Sequence, residues 1–142
     1  MNPERIRDFL ARIELFRDLA PPELTRLAAR VAVAEVARGE LLFEEHSPRL
    51  NLHLIASGEV ELFKRLPLGG EKRLAFFGPR DFLGEGSLMD DYPHSASARA
   101  LLDCRILRIS REAFADLVRE DEAAAVSTDR KSTRLNSSHR LL

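Results

Sequence analysis

The chain has 142 residues, 44% of them hydrophobic and 32% charged, which is enough apolar material for the core of one domain. The net charge is −1, but residues 127–142 hold four basic residues and one acidic residue, which leaves 18 basic and 22 acidic side chains in residues 1–126. The larger part is therefore mildly acidic, which excludes an obvious nucleic-acid-binding surface.

The single cysteine, Cys104, excludes an internal disulfide and a clustered cysteine metal site. Because it lies in an alternating, strand-like run, we expect it to be a small buried hydrophobe rather than a redox sensor. The N-terminus lacks the apolar segment of a secretory signal, and no stretch approaches the length of a membrane span. We therefore expect a cytoplasmic protein.

Residues 3–30 predict a helical lead-in. Pro3 follows Asn2 at the first helical position, and apolar residues then recur at helical spacing. We expect a short helical turn next, and then a second helix from about Pro22 to Arg30. The apolar stripes of these helices are expected to be core, and they comprise Ile6, Phe9, Leu10, Ile13, Leu24, Leu27 and Ala28.

From residue 31 the apolar period changes to two, with Gly or Pro between short runs. The expected strands cover residues 31–36, 41–43, 52–55, 60–63, 74–77, a strand end at 82, 94–101 and 104–109. About eight short strands at near-regular spacing predict a mainly β fold with flanking α-helices. The architecture expected for residues 31–109 is a double-stranded β-helix (jelly roll) rather than a parallel sheet.

A C-terminal helix is expected over residues 110–126. Ser110 is a candidate N-cap, and the acidic Glu112 lies in the first turn. The apolar face of this helix consists of Phe114, Leu117 and Val118.

The stretch FLGEGSLMDDYPHSASARA, residues 82–100, predicts a strand end, a glycine turn, one short helical turn, a loop and a return strand. Gly84 and Gly86 allow backbone angles and a close approach that a side chain would forbid. Successive backbone N–H groups at such a turn and at the start of a helix point outward together and form an anion site.

Polar side chains around this turn indicate that the ligand also carries hydroxyl groups. Glu85 lies between the glycines, where its carboxylate can accept hydrogen bonds from hydroxyl groups. The hydroxyls of Ser87 and Ser95 add two donors. The pattern therefore predicts a ligand with a phosphate and with either a diol or a single free sugar hydroxyl.

The segments GEGSL (84–88), PHSA (93–96) and ARA (98–100) resemble the phosphate-binding cassette of cyclic nucleotide-binding domains. These domains are the ligand modules of the Crp/Fnr regulators, of the regulatory subunits of cAMP-dependent kinase and of nucleotide-gated channels. RGELLFEEHSP (38–48) and LHLIASGEVEL (52–62) resemble two further family strand pairs, with His46 in place of a usual glycine. The resemblance covers roughly residues 9–120.

The resemblance implies residue roles. Glu85 would bind the ribose 2′-hydroxyl, the backbone amides of Gly86 and Ser87 the cyclic phosphate, and Ser95 a phosphate oxygen. His94 departs from the family, because it occupies the position of the phosphate-binding arginine. Histidine does not reproduce the permanently charged, planar fork of arginine.

The implied function is a regulatory sensor domain, residues 1–126, that binds a cyclic nucleotide, cAMP more readily than cGMP, and controls a C-terminal output module. The resemblance also implies a homodimer contact through the C-terminal helix, and no nucleic-acid binding by this chain alone. The alternative is a β-roll interaction or scaffold domain that has lost its ligand, with His94 as the reason. A cupin-like metal enzyme is not favoured, because His46, His53 and His94 are single and widely spaced, so we expect no catalytic residue, metal or cofactor.

Residues 127–142, STDRKSTRLNSSHRLL, differ in character from the rest, because they are rich in Ser, Thr and Arg without apolar periodicity. The run resembles translated adapter or linker DNA, so we expect a non-native or disordered tail. On that interpretation the natural protein continues past Val126 into the output module. A basic arm that binds nucleic acid is the alternative.

Overall fold

The structure is a computed structural model that describes residues 1–84, 92–117 and 119. The helical elements are α1 (Pro3–Ala11), a 3₁₀ helix (Glu14–Phe16) and α2 (Pro21–Ala28). The strands are β1 (Val31–Val36), β2 (Leu41–Phe43), β3 (Asn51–Ser57), β4 (Val60–Arg65), β5 (Glu71–Phe77), β6 (Phe82–Leu83), β7 (Ser97–Ala100) and β8 (Cys104–Ser110). Residues 111–117 are again helical.

Both predicted helices of the lead-in are present, and their starts have local causes. The side chain of Asn2 accepts a hydrogen bond from the Arg5 N–H at 2.8 Å, which caps α1, and Pro3 takes the first helical position. In α2, which begins one residue earlier than predicted, Glu23 accepts from the Ala20 N–H at 2.9 Å. Ser110 caps the C-terminal helix as predicted, because its Oγ accepts from the Ala113 N–H.

The strands form two four-stranded antiparallel sheets. Sheet 1 has the order β1-β8-β3-β6, and sheet 2 has the order β2-β7-β4-β5. Apart from the β4–β5 hairpin, neighbouring strands in both sheets are not consecutive in the chain. This is the pattern of a jelly roll and confirms the predicted fold class.

Two hydrophobic clusters lie on opposite faces of sheet 1, because side chains alternate along a strand. On the outer face, Leu52 and Leu54 of β3 pack with the helices. On the inner face, Ile55 packs against sheet 2. The outer cluster joins α1, α2, the sheet and the C-terminal helix, and it includes Ile6, Leu10, Ile13, Phe16, Leu24, Leu27, Leu107, Ile109, Ala113 and Phe114.

The turn between β3 and β4 requires glycine. Gly58 has φ +97°, and a Cβ there would lie 2.5 Å from the Cys104 Sγ and 2.7 Å from the Asp103 carbonyl oxygen. Cys104 is buried as predicted, and burial raises the pKa of its thiol.

The return strand after the cassette begins later than predicted. Residues 94–96 are not part of a strand, and β7 starts at Ser97. The backbone of His94 bonds instead to the loop after β2: its N–H donates to the Ser47 carbonyl, and its carbonyl accepts from the His46 N–H. These bonds tie the segment to a loop rather than to a strand of sheet 2.

Within residues 1–84 and 92–117, no helix combines the length and apolar character that a bilayer span requires. The expected continuation of the C-terminal helix to residue 126 and the expected tail at 127–142 lie outside the described residues.

Candidate functional site

Gly84, the first residue of the predicted anion turn, has the left-handed backbone expected of it. Its φ is +84°, and a Cβ there would lie 3.1 Å from the Asn51 carbonyl oxygen. The same Cβ would lie 3.8 Å from carbon atoms of both His53 and His94. The backbone at Gly84 therefore approaches β3 and two imidazole rings so closely that glycine fits the position best.

A row of paired residues leads across sheet 1 to this glycine. Arg108 of β8 pairs with His53 of β3, and His53 pairs with Leu83 of β6. Paired residues in adjacent strands share a face, and Leu83 belongs to the inner cluster, so all three side chains lie on the inner face. Further along the same two strands, Ile55 and Ile106 make this face wholly apolar. Among the described residues, the interior of the roll is thus polar at the end next to Gly84 and apolar beyond it.

The two histidines at this polar end contact one aromatic ring. His94 stacks on Phe43 of β2, with ring centroids 3.8 Å apart and planes within 9°. Phe43 also meets His53 in a tilted arrangement at 5.3 Å. Only 4% of His94 and 3% of His53 is exposed to solvent. Phe43 therefore bridges the two sheets and fixes both imidazoles inside the roll.

Both imidazoles are neutral at pH 7. Burial, together with nearby Arg108 and His94, lowers the pKa of His53 to about 3. Burial and nearby Arg49 lower the pKa of His94 to about 4. In this arrangement His94 offers neutral hydrogen-bonding groups, not the positive charge of an arginine.

Three buried polar atoms at this end have no hydrogen-bond partner in the described part of the chain: the Nε atoms of Arg49 and Arg108 and the Nδ1 atom of His53. Buried polar groups are nearly always hydrogen-bonded, so each exception calls for a cause such as a ligand or water. Sequence patterns do not predict this cluster, because its members come from a loop and two strands that meet only after folding.

The predicted ligand residues are brought together only in part. Gly84 and His94 lie side by side, whereas Ser95 is exposed. Glu85, Gly86 and Ser87 lie outside the described residues. His46, which replaces a family glycine, has the left-handed φ of +72° that such a glycine would adopt freely.

The arginine of the ARA segment has a structural role that sequence reasoning missed. Arg99 donates to Glu61 at 2.8 Å and to Glu71 at 2.5 Å, and Arg73 donates to Glu61 at 2.7 Å. Burial alone would raise the pKa of the Glu61 carboxyl, but the hydrogen bonds from Arg99 and Arg73 hold it below its usual value. The network lies on the outer face of sheet 2, because Glu61 and Arg99 alternate with inner-cluster residues. In the described part of the chain, no three His, Cys, Asp or Glu side chains are arranged to hold a metal ion.

The family model of the cyclic nucleotide-binding domain matches residues 33–121. The cyclic AMP receptor protein of Thermus thermophilus is 39% identical over 106 residues, which are 74% of this chain and 49% of the relative. The CRP-like cAMP-activated global transcriptional regulator of Mycobacterium tuberculosis is 32% identical over 107 residues, 75% of this chain and 48% of the relative. The chain thus spans about half the length of these two relatives.

Among solved structures, the sensor domain of the transcriptional regulator DNR from Pseudomonas aeruginosa superposes with a TM-score of 0.79 at 25% identity. This match covers 99% of the chain and 95% of the DNR sensor domain. The family match extends from β1 through β8 and so includes Gly84 and the polar end of the roll. The chain belongs to the cyclic nucleotide-binding domain family.

Proposed function

We propose that residues 1–126 form a non-catalytic sensor domain that binds a cyclic nucleotide, cAMP in preference to cGMP, at the polar end of the roll. The single observation that carries the proposal is Gly84, which opens the cassette in a left-handed conformation beside buried polar atoms that have no partner among the described residues. The preference for cAMP is supported by two relatives, the cyclic AMP receptor protein of Thermus thermophilus and the cAMP-activated regulator of Mycobacterium tuberculosis.

The proposed contacts follow the cassette. Glu85 binds a ribose hydroxyl, and the backbone amides of Gly86 and Ser87 donate to the cyclic phosphate. Gly84 allows the chain to approach β3 closely, and His94 and Ser95 contact the ligand from the return segment. Because the roll interior is apolar beyond Ile55, the polar end is where a charged ligand group finds partners.

We further propose that binding controls an output module C-terminal to residue 126, by shifting the C-terminal helix between two arrangements. The greater length of the two regulators supports this proposal. The same helix is proposed to form a homodimer contact, for which sedimentation equilibrium of the chain with and without cAMP is the direct measurement.

Isothermal titration of the whole chain with cAMP and cGMP, at pH 6 and pH 8, tests the sensor proposal. A bound phosphate raises the pKa of His94, so the complex takes up a proton and affinity rises as the pH falls. We expect heat from cAMP, tighter binding at pH 6, and a further gain in His94→Arg of roughly 10- to 150-fold, since a hydrogen bond to a charged group is worth about 1.5–3 kcal/mol.

The second candidate function is a scaffold domain that has lost its ligand. The observation that favours it is the stack of His94 on Phe43, which fills the position of the missing arginine with a buried neutral ring. Binding by His94→Arg but not by the natural chain would indicate an intact pocket no longer in use. If neither folded protein gives binding heat with cAMP or cGMP, the result would contradict the sensor proposal and support the scaffold function.

A further inference from the structure

The interior of the roll contains more positive charge than the described residues neutralise. Arg49 precedes β3, and Arg108 lies on the inner face of β8; both are partly buried. Neither takes part in an ion pair within the described residues. Cations that leave water for an apolar interior are normally paired with an anion, because their desolvation is costly.

The outer arginines of the same sheets behave differently. Arg105, three residues before Arg108 in β8, donates to Glu35 at 2.7 Å on the outer face. Arg99 in sheet 2 donates four hydrogen bonds to Glu61 and Glu71. The chain therefore supplies carboxylate partners to these outer arginines and leaves the Nε atoms of the two inner ones without acceptors among the described residues.

His53 gives an independent sign that a ligand belongs here. Its side chain is almost fully buried, yet its Nδ1 atom has no partner in the described part of the chain. It lies between Arg108 and Leu83 in the row that ends at Gly84. Arg49, Arg108 and His53 thus each place a buried polar atom, without a partner among residues 1–84 and 92–117, at the end of the roll where the cassette begins.

We infer that Arg49 and Arg108, assisted by His53, bind the anionic phosphate of the ligand inside the roll and supply positive charge that His94, neutral in the ligand-free chain, lacks. This inference rests on the proposed function for the identity of the ligand as a cyclic nucleotide. The two guanidinium groups come from a loop and from β8, so the charge reaches the phosphate from sheet 1 rather than from the return segment of the cassette.

Titration of the whole chain with cAMP tests the two arginines against a matched control. We compare Arg49→Met and Arg108→Met with Arg105→Met, which removes a guanidinium from the opposite face of the same strand as Arg108. Methionine retains much of the aliphatic stem, and circular dichroism checks folding. We expect a dissociation constant raised roughly 10- to 150-fold in each inner variant and within about threefold of the natural chain in Arg105→Met.

If the natural chain binds cAMP and both inner variants bind it equally well, the inference is wrong although the proposed function stands. If Arg108→Met does not fold, the loop variant Arg49→Met still decides the matter, because its position lies outside the strands.

A second measurement keeps the two proposals separable. We compare melting temperatures in sodium phosphate and in sodium chloride at equal ionic strength, for the natural chain and the Arg49→Met/Arg108→Met double variant. A rise in phosphate for the natural chain alone supports the anion site even where cyclic nucleotides give no heat, which would contradict only the proposed function. Equal melting temperatures in the two salts for the natural chain, together with no cAMP heat, would overturn both.

Discussion

His53 and His94 make the stability of the fold depend on pH. An unfolded histidine titrates near pH 6.5, whereas the folded pKa values are about 3 and about 4. Below pH 6.5 the unfolded chain therefore takes up protons that the folded chain does not, so the contribution is fully present above pH 6.5 and is lost as the pH falls toward these values.

We expect the urea midpoint of the natural chain to decrease between pH 7 and pH 4.5, and to decrease less in His53→Gln. Arg49 and Arg108 are the charged groups that face these imidazoles, and their positive charge opposes protonation of the two rings. The control is His46→Asn, since the His46 side chain is 83% exposed and asparagine tolerates its left-handed backbone. An identical pH profile for His53→Gln and the natural chain would contradict the assignment.

Alanine substitutions at Gly58 and Gly39 distinguish the cost of backbone strain from the cost of steric overlap. Both have a left-handed backbone, with φ of +97° and +91°, but a Cβ at Gly39 meets nothing within 4 Å. We expect Gly39→Ala to lower the free energy of unfolding by about 1–2 kcal/mol through strain. Gly58→Ala should cost about 1–3 kcal/mol more, because its Cβ overlaps Cys104 and the Asp103 carbonyl. Urea titration measures both, and equal losses would show that the turn relaxes freely.

The network of Glu61, Arg99, Glu71 and Arg73 connects three adjacent strands, β7, β4 and β5, on the outer face of sheet 2. Arg99 also lies over the ring of Phe63, with its Cζ 4.1 Å from the centroid. Glu61 is buried and accepts three hydrogen bonds from Arg73 and Arg99, so its removal deprives two guanidinium groups of this partner.

We expect Glu61→Gln to lower the free energy of unfolding by about 2 kcal/mol, the value of a hydrogen bond to a charged group. Glu35→Gln, which removes the partner of Arg105 at the surface, should cost about 0.5 kcal/mol. Thermal unfolding at neutral pH compares the two variants. A loss no larger in Glu61→Gln than in Glu35→Gln would mean that the network adds nothing beyond an exposed ion pair.

Strands, turns and caps are predicted correctly where neighbouring residues in the sequence determine them. The period-two run from residue 31, the glycine turn at 58 and the Ser110 cap each follow from neighbours in sequence. The start of β7 was predicted three residues too early, because His94 bonds to the loop at 46 and 47, which local pattern does not reveal.

The helices and the roll share one core at the scale of the whole molecule. The outer cluster contains residues of α1, α2, β3, β8 and the C-terminal helix, and Arg30 pairs with Asp116 at its edge. A change in the lead-in helix should therefore destabilise the sheets as well.

We expect Leu10→Ala, at a fully buried position, to lower the free energy of unfolding by about 2–5 kcal/mol. Circular dichroism and hydrogen exchange of the β3 and β8 amides should report the same loss, because one cooperative unit unfolds. Leu68→Ala, at a fully exposed turn residue, should change stability by less than about 0.5 kcal/mol. Loss of helix signal without faster exchange in β3 would contradict the single unit.

The polar end of the roll is only partly predictable from the sequence. Family motifs indicated Gly84 and His94, and the two lie together in the structure. Nothing in the pattern around Arg49, His53 or Arg108 distinguished them from surface residues, since alternation assigns a side chain to a face but not to the inside of a closed roll.

The burial of Cys104 makes the chain suitable for site-specific dye labelling. Its Sγ lies 3.3 Å from the Glu59 carbonyl oxygen and 3.2 Å from that of Leu102, and its raised pKa keeps it a thiol at neutral pH. Maleimide reacts with accessible thiolates, so the native cysteine stays unreactive while the protein is folded. A cysteine introduced at the exposed Leu68 position thus takes up a fluorophore alone, and no cysteine-free background has to be engineered first.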